Sequence, residues 1–291
     1  MRTNGSAGAA GPVAEAVFVA FDTETTGLIA GVDRIVEVAA VVFSDGRILR
    51  EYEQLVDPGI SIPPGVQAIN NISDEMVRGM PSIRDALPAL LSVLREGIPV
   101  AHNAAFDAGF LCADIERFGL EAPNAPILDT RGLARKAFPG RQSYSLDNLA
   151  REFCREERQG TSAQRVGASS HRALADAHAC AALFKVCLQK LSARGPLAEE
   201  DLVGLSGPRL SLVTNAPRQP RFAAVLDGAL REGAAVEIQY MSSQGERTVR
   251  EIRPLSFAVV GGSPVISAFC SLRNDTRTFR LDAIRGIRRL P

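Results

Sequence analysis

The run VFVAFDTETTG, from Val17 to Gly27, opens with five largely apolar residues and passes straight into Asp22 and Glu24. Side chains two apart on a strand share a face, so a strand here carries both carboxylates side by side at its end. Adjacent carboxylates in a partly buried site repel each other and raise one another's pKa unless a cation is supplied. A chain built around this segment needs a sheet whose strand ends open onto a polar site. Taken alone, the pair would also suit a solvated loop, so the choice rests on the acids further along the chain.

Three strand-like runs come first: VFVAF, RIVEVAAVVF and ILREYEQLV, the last two joined through Asp45-Gly46, a hairpin signal. Helical periodicity then alternates with short strands. SIRDALPALLSVLREG reads as a helix, IPVAHNA as a fourth strand, FDAGFLCADIERFG as a helix ending in glycine, and PILDT as a fifth strand. SLDNLAREF and HRALADAHACAALFKVCLQKL are two further helices. An antiparallel start followed by crossovers implies an α/β fold around a mixed sheet. Residues 1–16 read as a flexible tail, 17–192 as this first domain and 193–220, rich in Pro, Gly and polar residues, as a linker. From 221 to 291 the strand-like runs AAVEIQYM, RTVREIRPLSFAVV, PVISAFCSL and TRTFRLDAIRGIRRL imply a small all-β domain.

At 291 residues the chain is long enough for two domains, and 46% hydrophobic with 23% charged residues is a globular balance. The 33 basic and 33 acidic side chains cancel, but the charge is unevenly spread. From Pro220 onward eleven arginines face seven acids, leaving that end about +4. Five cysteines without a C-x-x-C pair argue against a disulfide framework or a zinc site and fit a reducing cytoplasm. No apolar stretch reaches the ~18 residues of a membrane helix, and no membrane partner is expected. Nothing fixes the oligomeric state.

Two further stretches carry acids that could join Asp22 and Glu24. HNAAFDAGF places Asp107 one turn into the helix after the fourth strand, and HRALADA places Asp176 on the last long helix, five residues after His171. Four carboxylates form an all-oxygen set suited to Mg²⁺ or Mn²⁺. FDTETTG, HNAAFD, YSLDNLA and HRALADA, in this order and spacing, resemble the motifs of the DEDDh 3′→5′ exonucleases, the family of the proofreading epsilon subunit of bacterial DNA polymerase III. The resemblance covers about Val17 to Leu191 and implies an RNase H-like fold with a mixed five-stranded sheet. It implies that Asp22, Glu24, Asp107 and Asp176 hold two divalent cations and that His171 is the general base. It also implies that Thr25, Thr26, Gly27 and Leu28 line the pocket for the terminal nucleotide, with Asn103 and Phe106 beside it. His102 reads as a motif-shaping residue and His178 as a packing histidine.

The text VEIQY, REIRPL and RNDTRTFRLDAI resembles the WYL domains, small Sm/SH3-like β modules, although Pro264-Val265-Ile266 stands where the naming tripeptide would be. Arg250, Arg253, Arg273, Arg277 and Arg280 could face phosphates, because guanidinium forks bind them bidentately; a solvated charged face is the alternative. The expected function is metal-dependent hydrolysis at single-stranded or frayed nucleic-acid 3′ ends, with DNA ahead of RNA. A polymerase or repair partner is compatible with it. The alternative class is a regulatory nucleic-acid or nucleotide-binding protein with a catalytically silent exonuclease-like fold.

Overall fold

Strands β1 (Phe18–Thr25) and β2 (Ile35–Ser44) are buried along nearly their whole length, as apolar runs are when helices cover both faces of a sheet. The computed structural model describes residues 13, 16–154, 172–193, 195–213, 222–242, 245–260 and 263–290. Most of the expected tail, His171 and residues 214–221 lie outside the described residues. The chain divides into two compact units, one comprising Met1–Glu24 and Ile35–Ala216, the other Thr25–Arg34 and Pro217–Pro291.

In the first unit β2 turns through Asp45 (φ 48°) and Gly46 (φ 69°) into β3 (Arg47–Leu55). Two consecutive left-handed residues give the turn whose twist matches antiparallel strands, as the Asp-Gly pair announced. Helices α1 (Pro64–Asn70), α2 (Asp74–Val77) and α3 (Ile83–Leu94) follow, then β4 (Ile98–Ala101) and α4 (Ala105–Phe118). β5 (Leu128–Asp129), α5 (Thr130–Ala137), α6 (Leu146–Phe153), α7 (Ala173–Ser192) and α8 (Glu199–Ser206) complete the unit. The strand order is β3-β2-β1-β4-β5, antiparallel between β2 and β3 and parallel from β1 through β4 to β5. The mixed five-stranded sheet is the one expected. The chain builds to one side of β1 and then the other, so the carboxyl ends of β1 and β4 meet at a topological switch point, the place where open α/β sheets form sites.

α7 packs on this sheet through small residues. Ala177, Cys180, Ala181 and Cys187 are buried, and Phe184 meets Phe18 with ring centroids 4.6 Å apart and Phe43 at 5.9 Å. Small side chains let the helix lie close, and the aromatic trio fills what remains.

The span 193–220, expected to be a linker, contains α8, whose Leu202 is fully buried. Eight residues are too few to display a sustained period, which is why the sequence does not announce it. The Asp201 carboxylate accepts the Ala198 N–H at 2.9 Å and fixes its start. α8 packs on α5 so closely that a Cβ at Gly132 would collide with the Ser206 carbonyl.

In the second unit α9 (Ala223–Glu232) precedes a five-stranded antiparallel sheet of β6 (Val236–Met241), β7 (Arg247–Val260), β8 (Ser263–Cys270), β9 (Asp275–Arg280) and β10 (Ile284–Arg289). Its order is β10-β6-β7-β8-β9, and the strand-like runs gave no sign of the helix in front of it. The core of this unit gathers Leu226, Val236, Ile238, Ile252, Ile266 and Phe279. Ile29, only 4% exposed, belongs to the same cluster, with Val32 packed against it. Among the described residues no helix is long and apolar enough to cross a membrane.

The α5–α8 contact gives a direct test. Gly132→Ala forces a methyl into backbone and should destabilise the protein by about 1–3 kcal/mol, the usual effect of overpacking. Denaturant unfolding followed by circular dichroism measures it; an unchanged midpoint would mean that α8 does not pack there.

Candidate metal and nucleotide site

Asp22 and Glu24 project together from the end of β1, and Asp176, in the first turn of α7, joins them. One carboxylate oxygen from each lies within 4.8 Å of the others, and all three residues are half-buried. Sheet and helix, far apart in sequence, thus deliver three acids to one point. Asp107 is buried at the start of α4, and its Oδ1 accepts the Thr23 N–H at 2.9 Å and the Thr23 hydroxyl at 2.8 Å. It stands outside the three-residue group. His171 lies outside the described residues.

The electrostatics follow from burial and crowding. Desolvation, then the Asp107, Asp176, Glu24 and Glu37 carboxylates, push the Asp22 carboxyl well above the usual range. Burial first, then Asp176, Glu37 and Asp107, lift Glu24 to about 8, with Arg172 opposing. Asp107 rises to about 7 through burial, held back by its bonds from Thr23. Carboxylates crowded in this way repel one another, and their oxygen donors suit a hard divalent cation.

The residues after Glu24 form a tight loop in the second unit. Thr26 is buried, its hydroxyl accepting the Arg34 N–H at 3.0 Å, while Asp33 Oδ2 accepts the Ile29 N–H at 2.8 Å. The Gly27 Cα lies against the Asp33 carboxylate, where any Cβ would collide with it. The Thr25 hydroxyl donates to the Gly27 carbonyl at 2.5 Å. Leu28 is 55% exposed, an apolar side chain presented to solvent at the loop tip.

After β4, Asn103 adopts a left-handed conformation (φ 63°). Its N–H donates to Asp129 Oδ1 at 3.0 Å, and its Oδ1 accepts Arg131 Nη1 at 2.9 Å. The Phe106 ring meets Phe110 with centroids 5.1 Å apart. His102 lies 2.9 Å from both the Thr130 hydroxyl and the Tyr144 carbonyl, so it ties the first residue of α5 to the segment before α6. His178 is buried with Nε2 3.0 Å from Glu51.

Two participants escaped the reading of the sequence. Thr23 sits between the two acids of β1 and holds Asp107. Glu37, fully buried in β2, faces the same acids and is paired with Arg172. A lone acid inside RIVEVAAVVF was the available signal, because a buried charge needs a partner.

The sheet of the second unit separates the five arginines. Arg250 opposes buried Ile238 and Arg277 opposes buried Ala268, on the core side. Arg253 opposes exposed Phe269 on the other side, and Arg273 lies in the turn after β8. Arg280 is paired with Asp282.

The raised carboxyls predict how stability depends on pH. Their folded pKa values exceed the unfolded ones, so the stability they confer is full below the unfolded value, near 4.5 for Glu24, and is lost as pH rises through about 8. In chelator, the melting temperature should fall between pH 5 and 9, less steeply in Asp22→Asn. Mn²⁺ should raise it more at pH 8 than at pH 5. Thermal melts measure this, and an Mn²⁺ effect independent of pH would contradict the assignment of these acids.

The exonuclease family pattern matches residues 19–184 and the WYL domain pattern residues 221–289. The chain is 38% identical over 141 residues to a DNA polymerase III PolC-type of Lacticaseibacillus paracasei, which covers 48% of this chain and 10% of that protein. It is 39% identical over 138 residues to the DNA polymerase III subunit epsilon of Treponema pallidum, covering 47% of this chain and 64% of that one. A structure of exonuclease X in complex with 5′ overhanging duplex DNA shares 31% identity at a TM-score of 0.49, covering 65% of this chain and 99% of that one. The chain thus spans about a tenth of the PolC-type polymerase and under two thirds of the epsilon subunit. With its first unit matched over more than half the chain and its acids gathered at the end of β1, the protein belongs to the exonuclease family and carries a WYL domain behind it.

Proposed function

We propose that the protein is a 3′→5′ exonuclease that hydrolyses the terminal phosphodiester of single-stranded or frayed ends, DNA in preference to RNA. The convergence of Asp22, Glu24 and Asp176 within 4.8 Å supports this reading most directly. The preference for DNA leans on the relatives, which are named as a PolC-type DNA polymerase III and the epsilon subunit of DNA polymerase III. Asp22, Glu24 and Asp176, with Asp107 behind Thr23, would hold two divalent cations, Mg²⁺ or Mn²⁺. When bound, these supply the positive charge that acidifies an attacking water and neutralises a leaving oxygen.

The remaining steps fall to the chain. By the family resemblance, Leu28, which is exposed, offers an apolar surface to the terminal base, and Thr25, Thr26 and Gly27 line its pocket. Asn103, held by Asp129 and Arg131, and Phe106 flank the nucleotide. His171 takes the proton from water as it attacks phosphorus. The bond from phosphorus to the 3′-oxygen of the preceding nucleotide breaks, and a 5′-mononucleotide departs.

End-labelled single-stranded DNA and RNA, incubated with Mg²⁺, Mn²⁺ or chelator, test the proposal. Stepwise shortening from the 3′ end should require metal and vanish in Asp22→Asn, and His171→Ala should lower the rate by about 10²–10⁴, the range for a general base. Binding without metal-dependent cleavage would instead favour a silent nucleic-acid-binding fold. For the WYL domain, nucleic-acid contact on the sheet face that carries Arg253 predicts that Arg253→Ala flattens the log–log salt dependence of binding by about 0.7, while Arg277→Ala, on the opposite face, leaves it unchanged. An unchanged slope in Arg253→Ala would assign that arginine another ligand.

A further inference from the structure

Glu37 is not among the three clustered acids, yet it is fully buried beside them, and its carboxylate is gripped by a guanidinium and a backbone amide. It accepts Arg172 Nε at 3.1 and 3.0 Å and the Ala173 N–H at 2.8 Å, and Arg172 Nη2 donates to it as well. Arg172 also approaches Glu53 of β3 at 3.5 Å.

We propose that Glu37 is a positioning residue: by pinning the first turn of α7 to β2, it sets where the Asp176 carboxylate stands relative to Asp22 and Glu24. The first N–H groups of a helix have no partner within it. Arg172, in the cap position with φ −133° and ψ 129°, gives α7 no side-chain cap. The carboxylate that fills this role comes from another strand, 136 residues earlier. Negative charge at a helix start is favourable in itself, and a buried carboxylate facing a guanidinium fork is fixed in direction. The Arg172 carbonyl in turn accepts the Asp176 N–H at 3.0 Å. An unbroken series of hydrogen bonds therefore runs from β2 through Arg172 and Ala173 to the backbone of Asp176, whose carboxylate meets two others carried by β1.

A purely structural ion pair makes a different forecast, because replacing a buried pair by apolar side chains of similar volume is often neutral or stabilising. If Glu37 and Arg172 served only stability, such a replacement would leave the site as it was. If they hold α7 in register, it would not. Partners that orient metal-holding carboxylates typically contribute 10–100-fold to metal affinity or activity.

The inference rests on the nuclease reading for its effect on rate, so the primary readout is binding of Mn²⁺ alone to the full chain, followed by calorimetry. Glu37→Asp keeps the charge and withdraws the carboxylate by one methylene. It should weaken Mn²⁺ binding by about 10–100-fold, speed hydrogen exchange at the Ala173 and Asp176 amides, and lower kcat while leaving KM for single-stranded DNA unchanged. Glu37→Met combined with Arg172→Met keeps the net charge and should melt like the wild type, with the same loss of Mn²⁺ affinity. Wild-type Mn²⁺ affinity in either variant would overturn the proposal. Should the double variant not fold, Glu37→Asp decides alone. A wild-type chain that binds Mn²⁺ without cleaving DNA would refute the nuclease reading and leave the positioning to be judged on affinity; one that binds no Mn²⁺ would refute both.

Discussion

Like charges brought together at the end of a buried strand are the condition that the first unit is organised around. Asp22 and Glu24 are forced onto one face by the pleat of β1, and α7 adds Asp176 to them. Nothing in a folded chain gathers three half-buried carboxylates without opposing forces, since the neighbouring carboxylates raise the pKa values of Asp22 and Glu24. Packing elsewhere must hold them. The aromatic contact of Phe184 with Phe18 and Phe43, and the small residues of α7 laid against the sheet, supply that hold.

Two further acids near the cluster are stabilised by different means. Asp107 receives neutral donors, the backbone and hydroxyl of Thr23, and its carboxyl still lies above the ordinary range because burial outweighs two hydrogen bonds. Glu37 receives a guanidinium and a helix N–H, a fully compensated arrangement that a buried carboxylate requires. The contrast matches their surroundings: one acid faces the site from behind a threonine, the other joins β2 to the helix that completes the site. A guanidinium thus bonds directly to the structural acid, and the same Arg172 opposes the upward shift of Glu24.

How much of this was readable in advance depends on range. The Asp45-Gly46 turn and the strand β1 with its two acids were legible because their signals are local: a dipeptide that tolerates left-handed backbone, and an alternation of period two. The long helix α7 was legible from its length and pattern. The short helices α1, α2 and α8 were not, because four to eight residues do not show a period. Glu37 was visible as a lone acid in an apolar run, but its partner lies 135 residues away, and no local rule connects them.

By itself the sequence determined the residue types at the site, their order, the strand that carries the first pair and the mixed sheet around it, since pleat and periodicity are properties of neighbours along the chain. Only the tertiary structure decided that Asp176 comes within reach of Asp22 and Glu24 while Asp107 turns to Thr23, and that Glu37 anchors the start of α7. It also decided that Thr25–Arg34, directly after the acids, folds with the second unit and buries Ile29 in that core. The physical reason is common to all of these: which partner a charge or an apolar side chain finds is settled by packing between distant segments, a competition that no stretch of sequence can resolve alone.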